Sequence, residues 1–193
     1  MAKKTDNTRP GVIETQLGGH HSANPVFLKM GAWRHLFSEH QRKIIIAEAL
    51  NTGINDEKLS ISGYLITGWS VCLVLMTHKK QLHKILEFFD EYVRKEIAKY
   101  HRELEEHNLR IYHEDDPFLS VMHKDELFEP YMEENDYLVR LITGREVKQL
   151  YYDPHVARLK DIVNNERFCS AIDYSGAMGP VMVKLRYHDD LMD

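Results

Sequence analysis

The chain has 193 residues, 43% hydrophobic and 28% charged, with a formal net charge of −5. That length holds one domain-sized core, and the balance is ordinary for a globular chain. An acidic total excludes a surface that grips phosphate backbones throughout, so a nucleic-acid site must be a local patch.

Cys72 and Cys169 are the two cysteines; they form no CxxC pair and imply no disulfide framework, which points to a reducing cytoplasm. Met1 to Gly19 is polar and lacks the apolar stretch of a secretory leader, and no run reaches the roughly 18 apolar residues of a membrane span. Residues 1–24 carry no periodicity and read as a flexible arm. Lys3, Lys4 and Arg9 make it basic or simply solvated. His20 and His21 can ligate a metal in principle, but without carboxylate or cysteine neighbours they are weak ligands.

Pro25 to Gly31 reads as the first strand. Trp33, Arg34 and His35 follow it as an aromatic–basic cluster, able to stack on a base and touch phosphate, or to cover the end of a sheet. Ser38 with Gln41 forms a capping box opening a helix whose stripe is Ile44, Ile45, Ala47, Ala49 and Leu50, with Gly53 as its stop. Lys58 to Ile66 reads as a strand, with Leu59, Ile61 and Leu65 alternating against Ser60, Ser62 and Tyr64. Thr67-Gly68-Trp69 turns the chain into a third strand, Trp69 to Met76. Lys79 to about Asn108 is a long amphipathic helix with Leu82, Ile85, Leu86, Phe89, Tyr92, Val93, Ile97 and Tyr100 at spacings of three and four. Lys79 and Lys80 crowd its first turn against the helix dipole, which suits a face toward phosphate or toward water. Its end, from Lys99 to His107, is charged and expected to project from the core.

Residues 111–136 are acidic and read as a solvated connector. Tyr137 to Ile142 is a short helix stopped by Gly144. Asp153-Pro154 begins another helical stretch, and Val181 to Tyr187 alternates as a strand that would extend the sheet or join a partner's sheet. The order strand–helix–strand–strand–helix predicts an α+β fold, a ferredoxin-like split βαβ sandwich with two packed helices and a helical C-terminal extension. The expected divisions are 1–24 (arm), 25–110 (core) and 111–193 (connector, helices and last strand).

The stretch from Tyr64 to Leu75 resembles the single-tyrosine HUH transposase family, in the branch associated with repetitive extragenic palindromes. Its strand pattern, aromatic-x-x-Met-Pro-Asn-His-x-His-Leu-x-Leu, places the aromatic on Tyr64, Met on Thr67, Pro on Gly68 and Asn on Trp69. The two metal-binding histidines fall on Ser70 and Cys72, and the apolar tail on Leu73, Val74 and Leu75. Asp136-Tyr137-Leu138 resembles the family's Asp-Tyr-Leu. Asp153-Pro154, with Ala157 three beyond, resembles its Asn-Pro segment. In that register the tyrosine nucleophile falls on Gln149, with Tyr137, Tyr151 and Tyr152 as nearby candidates.

The resemblance implies phosphoryl transfer on single-stranded DNA by a tyrosine and a divalent ion. Here the frame is kept and the chemistry is not. Ser70 is a weak neutral ligand and Cys72 is too soft for Mg²⁺ or Mn²⁺. The expectation is a catalytically inactive protein without cofactor or metal, with positions 70 and 72 side by side on a central strand above an empty pocket. It would bind hairpin or single-stranded DNA or RNA through Trp33, Arg34, His35, Arg42, Lys79 and Lys80, as a homodimer or a subunit of a complex, away from membranes. The alternative is a protein–protein assembly module that keeps the fold without binding nucleic acid. A nuclease using His20, His21 and the acidic cluster is the third option.

Overall fold

The computed structural model describes residues 22–108, 126–131 and 135–185. The elements are β1 (Ser22–Met30), α1 (Glu39–Asn55), β2 (Ile61–Ile66), β3 (Ser70–Thr77), α2 (Leu82–Asn108), β4 (Phe128–Pro130), α3 (Asp136–Ile142), α4 (Pro154–Asn165) and α5 (Ala171–Tyr174). The sheet has the order β2-β3-β1-β4 with every neighbouring pair antiparallel. Its fourth strand comes from within the acidic stretch, so the reading of 111–136 as a solvated connector is corrected at 128–130, which pairs with β1. His20, His21 and most of that stretch lie outside the described residues.

Both faces of the sheet are covered. Val26, Leu28 and Met30 of β1, Ile61, Tyr64 and Ile66 of β2, and Val71, Leu73 and Leu75 of β3 pack with α1 and α2. Phe27, Leu65, Cys72 and Val74 point the other way, onto Ile142, Val163 and Cys169 of the C-terminal region. Two-sided burial explains why β2 and β3 read as near-continuous apolar runs. Each large side chain removed from water contributes about 1.5–3 kcal/mol.

The capping box forms as read: Ser38 Oγ accepts from Gln41 N, and Gln41 Oε1 accepts from Ser38 N. Gly53 does not stop α1, which runs on to Asn55. Its bare Cα lets α1 approach Leu59, whose Cδ1 would lie 2.5 Å from an added Cβ. In β2 the simple alternation fails. A register shift between Ile61 and Gly63 places Ile61 and Tyr64 in the same core, while Leu65 faces the opposite layer. Phe89, Tyr92, Val93 and Ile97 bury the inner face of α2. Tyr100 of the expected stripe packs against the core and meets Phe37 edge-on at 6.0 Å, and the expected projection of the charged end is corrected at Leu104, which also packs there.

The outer edge of β2 is closed by the C-terminal region. Ser170 is buried, and its Oγ accepts from Tyr64 N at 2.8 Å and lies 2.5 Å from Ile142 O. Ile66 N donates to Phe168 O, Ser170 N to Tyr64 O, and Lys184 N to Ile61 O. The expected strand from Val181 does not form a ladder over the described residues: 181–185 meets β2 through the Lys184 bond and through Val181 N, which donates to Tyr64 Oη at 3.4 Å. Lys43 of α1, almost wholly buried, reaches Glu39 Oε1 at 2.7 Å and Glu166 Oε2 at 2.8 Å, tying α1 to the end of α4. Burial works against the Lys43 charge, but hydrogen bonds to Glu166 and Glu39 outweigh it and raise its pKa; the Lys43 hydrogen bond lowers that of Glu39.

Two predictions follow from these anchors. Ser170→Ala leaves the Tyr64 N–H and Ile142 C=O without their side-chain partner in a dry site, and should cost about 1–3 kcal/mol in urea unfolding. Lys43→Ala should cost about 2–4 kcal/mol near neutral pH, because Glu166 is left largely buried and unpaired. The raised Lys43 value contributes stability below the ordinary lysine pKa of about 10.4 and loses it as pH rises through the folded value. The lowered Glu39 value contributes above about 4.3 and loses it as pH falls through the folded value. The gap between wild type and variant should therefore be widest between about pH 5 and 10 and narrow on either side, as unfolding curves across pH would show.

Candidate nucleic-acid interface

The β2–β3 turn stands at one end of the sheet and is held by its own polar groups. Thr67 N donates to Ser70 O at 2.9 Å, and Thr67 Oγ1 accepts from Ser70 N at 3.1 Å. Trp69 O accepts from Met30 N at 2.8 Å, which pins the turn to the end of β1. The Trp69 side chain nevertheless remains 70% exposed. An indole on a fixed backbone with its ring in water is an unspent stacking surface.

Beside it lies an open groove of about 570 Å³, lined by the turn, by Arg34 and His35 after β1, by Glu39 and Arg42 of α1, and by α4. The α4 contributors, Arg158 and Ile162, are four residues apart and so share one helix face, which ends at the cap residue Glu166. Arg34 Nη1 donates to Met30 O and Gly31 O at 2.8 and 3.2 Å. Arg42 Nη1 donates to Arg34 O and Phe37 O, while its Nε is buried without a partner. Arg158 is exposed. Glu166 is spent on Lys43 and on the Phe168 N–H. Three arginines thus line a groove whose acidic residues, Glu39 and Glu166, are both bridged to Lys43.

The structure divides the sequence-derived candidates. Arg34, His35 and Arg42 come together in the groove. Trp33 does not join them. It is fully buried, its Nε1 donates to Leu127 O at 2.8 Å, and its ring meets Phe37 and Phe128 edge-on. A base cannot reach it, so of the two roles open to it, covering the end of the sheet is the one it fills. Lys79 and Lys80 sit beyond the opposite end of β3, roughly 23 Å of strand from Ser70. Trp69 and Arg158 belong to the groove and were not picked out in the sequence. The signal for Trp69 was its place beside Gly68, in a turn where a core tryptophan is out of place.

Ser70 and Cys72 do lie two apart on β3, an interior strand, and so share a face. The expected empty pocket is absent at Cys72, which is 4% exposed and packed among Phe27, Leu65, Val74 and Ile142. Burial pushes its thiol pKa well up, and that of Cys169 up to about 11, so both are neutral thiols at physiological pH. The cysteines flank Leu65, which pairs with Cys72 on one side and bridges Cys169 on the other. Two strand spacings, about 10 Å, separate them, beyond disulfide reach. Ser70 Oγ is engaged with Thr67 Oγ1 at 2.8 Å. A neutral buried thiol and a committed hydroxyl do not fit a divalent ion. Among the described residues no group of three His, Cys, Asp or Glu side chains converges to hold a metal.

Tyr137 lies on α3, and Gln149, Tyr151 and Tyr152 lie in the exposed connector before α4. Pro154, which opens α4 two residues after Tyr152, is already roughly 12 Å along the helix axis from Ile162 in the groove. Among the described residues no helix is long and apolar enough to cross a membrane. No family model matches the chain, and no curated protein or solved structure matches it.

Proposed function

We propose that the chain binds single-stranded or hairpin nucleic acid in the groove at the β2–β3 turn and does not cleave it. The observation that carries this reading is Trp69, an exposed indole on a pinned turn, beside a groove that gathers Arg34, Arg42 and Arg158. Stacking on an aromatic plane with phosphate held by guanidinium groups is how unpaired bases are taken by proteins of many folds. The chain's overall acidity confines that contact to one end of the sheet.

The proposal includes kinship with the single-tyrosine HUH transposases and a ferredoxin-like split βαβ description of the sheet. The spatial order β4-β1-β3-β2, and the placing of positions 70 and 72 on one face of an interior strand, support both. Two buried free cysteines accord with a cytoplasmic setting. A second reading, assembly with another protein or a second copy, is favoured by Leu150, Tyr151 and Tyr152, consecutive and strongly exposed.

Titration with a DNA hairpin bearing a single-stranded tail should quench the tryptophan emission, because Trp69 alone of the two indoles is exposed. Trp69→Ala should weaken binding about tenfold or more. For the wild type, log K against log salt should slope by about −2, from three guanidinium contacts at roughly 0.7 each, and Arg158→Ala should make the slope shallower. Absence of binding at low salt removes this reading. Sedimentation of wild type against Tyr151→Ser/Tyr152→Ser then tests the assembly reading.

A further inference from the structure

A second cavity, of about 220 Å³, lies between the sheet and α3. Its apolar wall is Ala23 and Pro25 of β1, Val74 of β3 and Val139 of α3. Its rim carries one carboxylate, Asp136, and one guanidinium, Arg145. Among the described residues neither side chain makes an ion pair or a hydrogen bond, although both line the same small space.

The walls are built. Thr143 Oγ1 donates to Val139 O at 2.7 Å, and Tyr174 Oη donates to Ser62 O at 2.7 Å. Gly144, at φ +68°, reverses the chain after α3, and the Arg145 N–H donates back to Arg140 O at 2.8 Å. An added Cβ at Gly144 would lie 2.5 Å from the Tyr174 ring, so that turn and that wall are fitted to each other. Asp136 begins α3 and Arg145 follows its end, so the two charges approach the cavity from opposite ends of the helix.

Opposite charges left apart across a preformed, part-apolar cavity fit a ligand that carries both signs. The volume is below that of pockets for drug-sized molecules, roughly 300–1,000 Å³, and suits a molecule with few non-hydrogen atoms. We propose that this cavity binds a small zwitterion, an α-amino acid with a short aliphatic side chain. Its carboxylate meets Arg145, its ammonium meets Asp136, and its side chain lies on Val74 and Val139. The geometry of a guanidinium fork suits the carboxylate end. The site is separate from the Trp69 groove and stands or falls independently of nucleic-acid binding.

Calorimetric titration of the full chain with L-alanine, L-valine and L-proline tests it, with propionate and propylamine as single-charge controls. At least one amino acid should bind with Kd below about 1 mM, and both controls at least about tenfold more weakly. Asp136→Asn and Arg145→Gln should each lower affinity about tenfold or more, while the melting temperature without ligand stays as in the wild type. No binding of any of the three amino acids at about 10 mM overturns the proposal. So does propionate binding as tightly as alanine, which marks a simple anion site, or retention of full affinity in both variants.

Discussion

The constraint on which the rest depends is a sheet that is apolar on both faces. All six residues of β2 are buried, and β3 is buried from Val71 to Thr77. Such strands cannot face water on either side, so two helical layers are required. The first is supplied early in the chain by α1 and α2, and the second only after β4, by α3 and α4. The C-terminal third is therefore part of the fold's closure: without it Phe27, Leu65, Cys72 and Val74 would be left exposed together. The same segments close the edge of β2, where Ser170 and the 168–170 backbone satisfy groups that an open edge would offer to another chain.

Double coverage also decides where ligands can go. With both faces occupied, the two cavities considered above lie at one end of the sheet and under its shorter helical cover. The Trp69 groove is at one end, where the β2–β3 turn emerges between α1 and α4. The cavity below α3 sits where a seven-residue helix spans less of the sheet than α1 or α2 does. Lys43 links closure to the groove: the bridge that holds α1 to the end of α4 also occupies the two carboxylates there, so guanidinium charge prevails at the rim.

Much of this was legible locally. The Ser38–Gln41 capping box, the stop at Gly144 and the apolar face of α2 are short-range signals, and each lies where the sequence put it. Asp153-Pro154 is a helix start in its own right, with Asp153 capping the N–H groups of His155 and Val156 and Pro154 at the first position. What the sequence hid depends on distant partners. Trp33 is in the core because its indole N–H meets a carbonyl 94 residues later, and no local pattern announces that bond. The shift between Ile61 and Gly63 reverses the parity of β2, so an alternation count assigns half the strand to the wrong layer. Gly63 allows that close fit: an added Cβ would lie 2.9 Å from Thr143 Cγ2, at the end of a helix 80 residues away in sequence.

Positions 70 and 72 serve packing and the turn. Under the proposed kinship, imidazoles there would need room, lone pairs turned to an ion, and a polar surround. Instead Cys72 is small and apolar enough to be packed under Leu65 and Ile142, where burial keeps its thiol neutral. Ser70, at the strand's start, is taken up by the turn through Thr67. With these two positions serving the second core and the turn, a histidine placed at 72 would require opening the layer that covers Leu65 and Val74, a cost in packing as well as in polarity. The Ser70 bonds to Thr67 hold the turn that carries Trp69. A rigid aromatic platform loses little freedom when a base settles on it, and binding needs no metal to hold the strand in place. Packing beneath the turn and the proposed recognition above it thus favour the same residues.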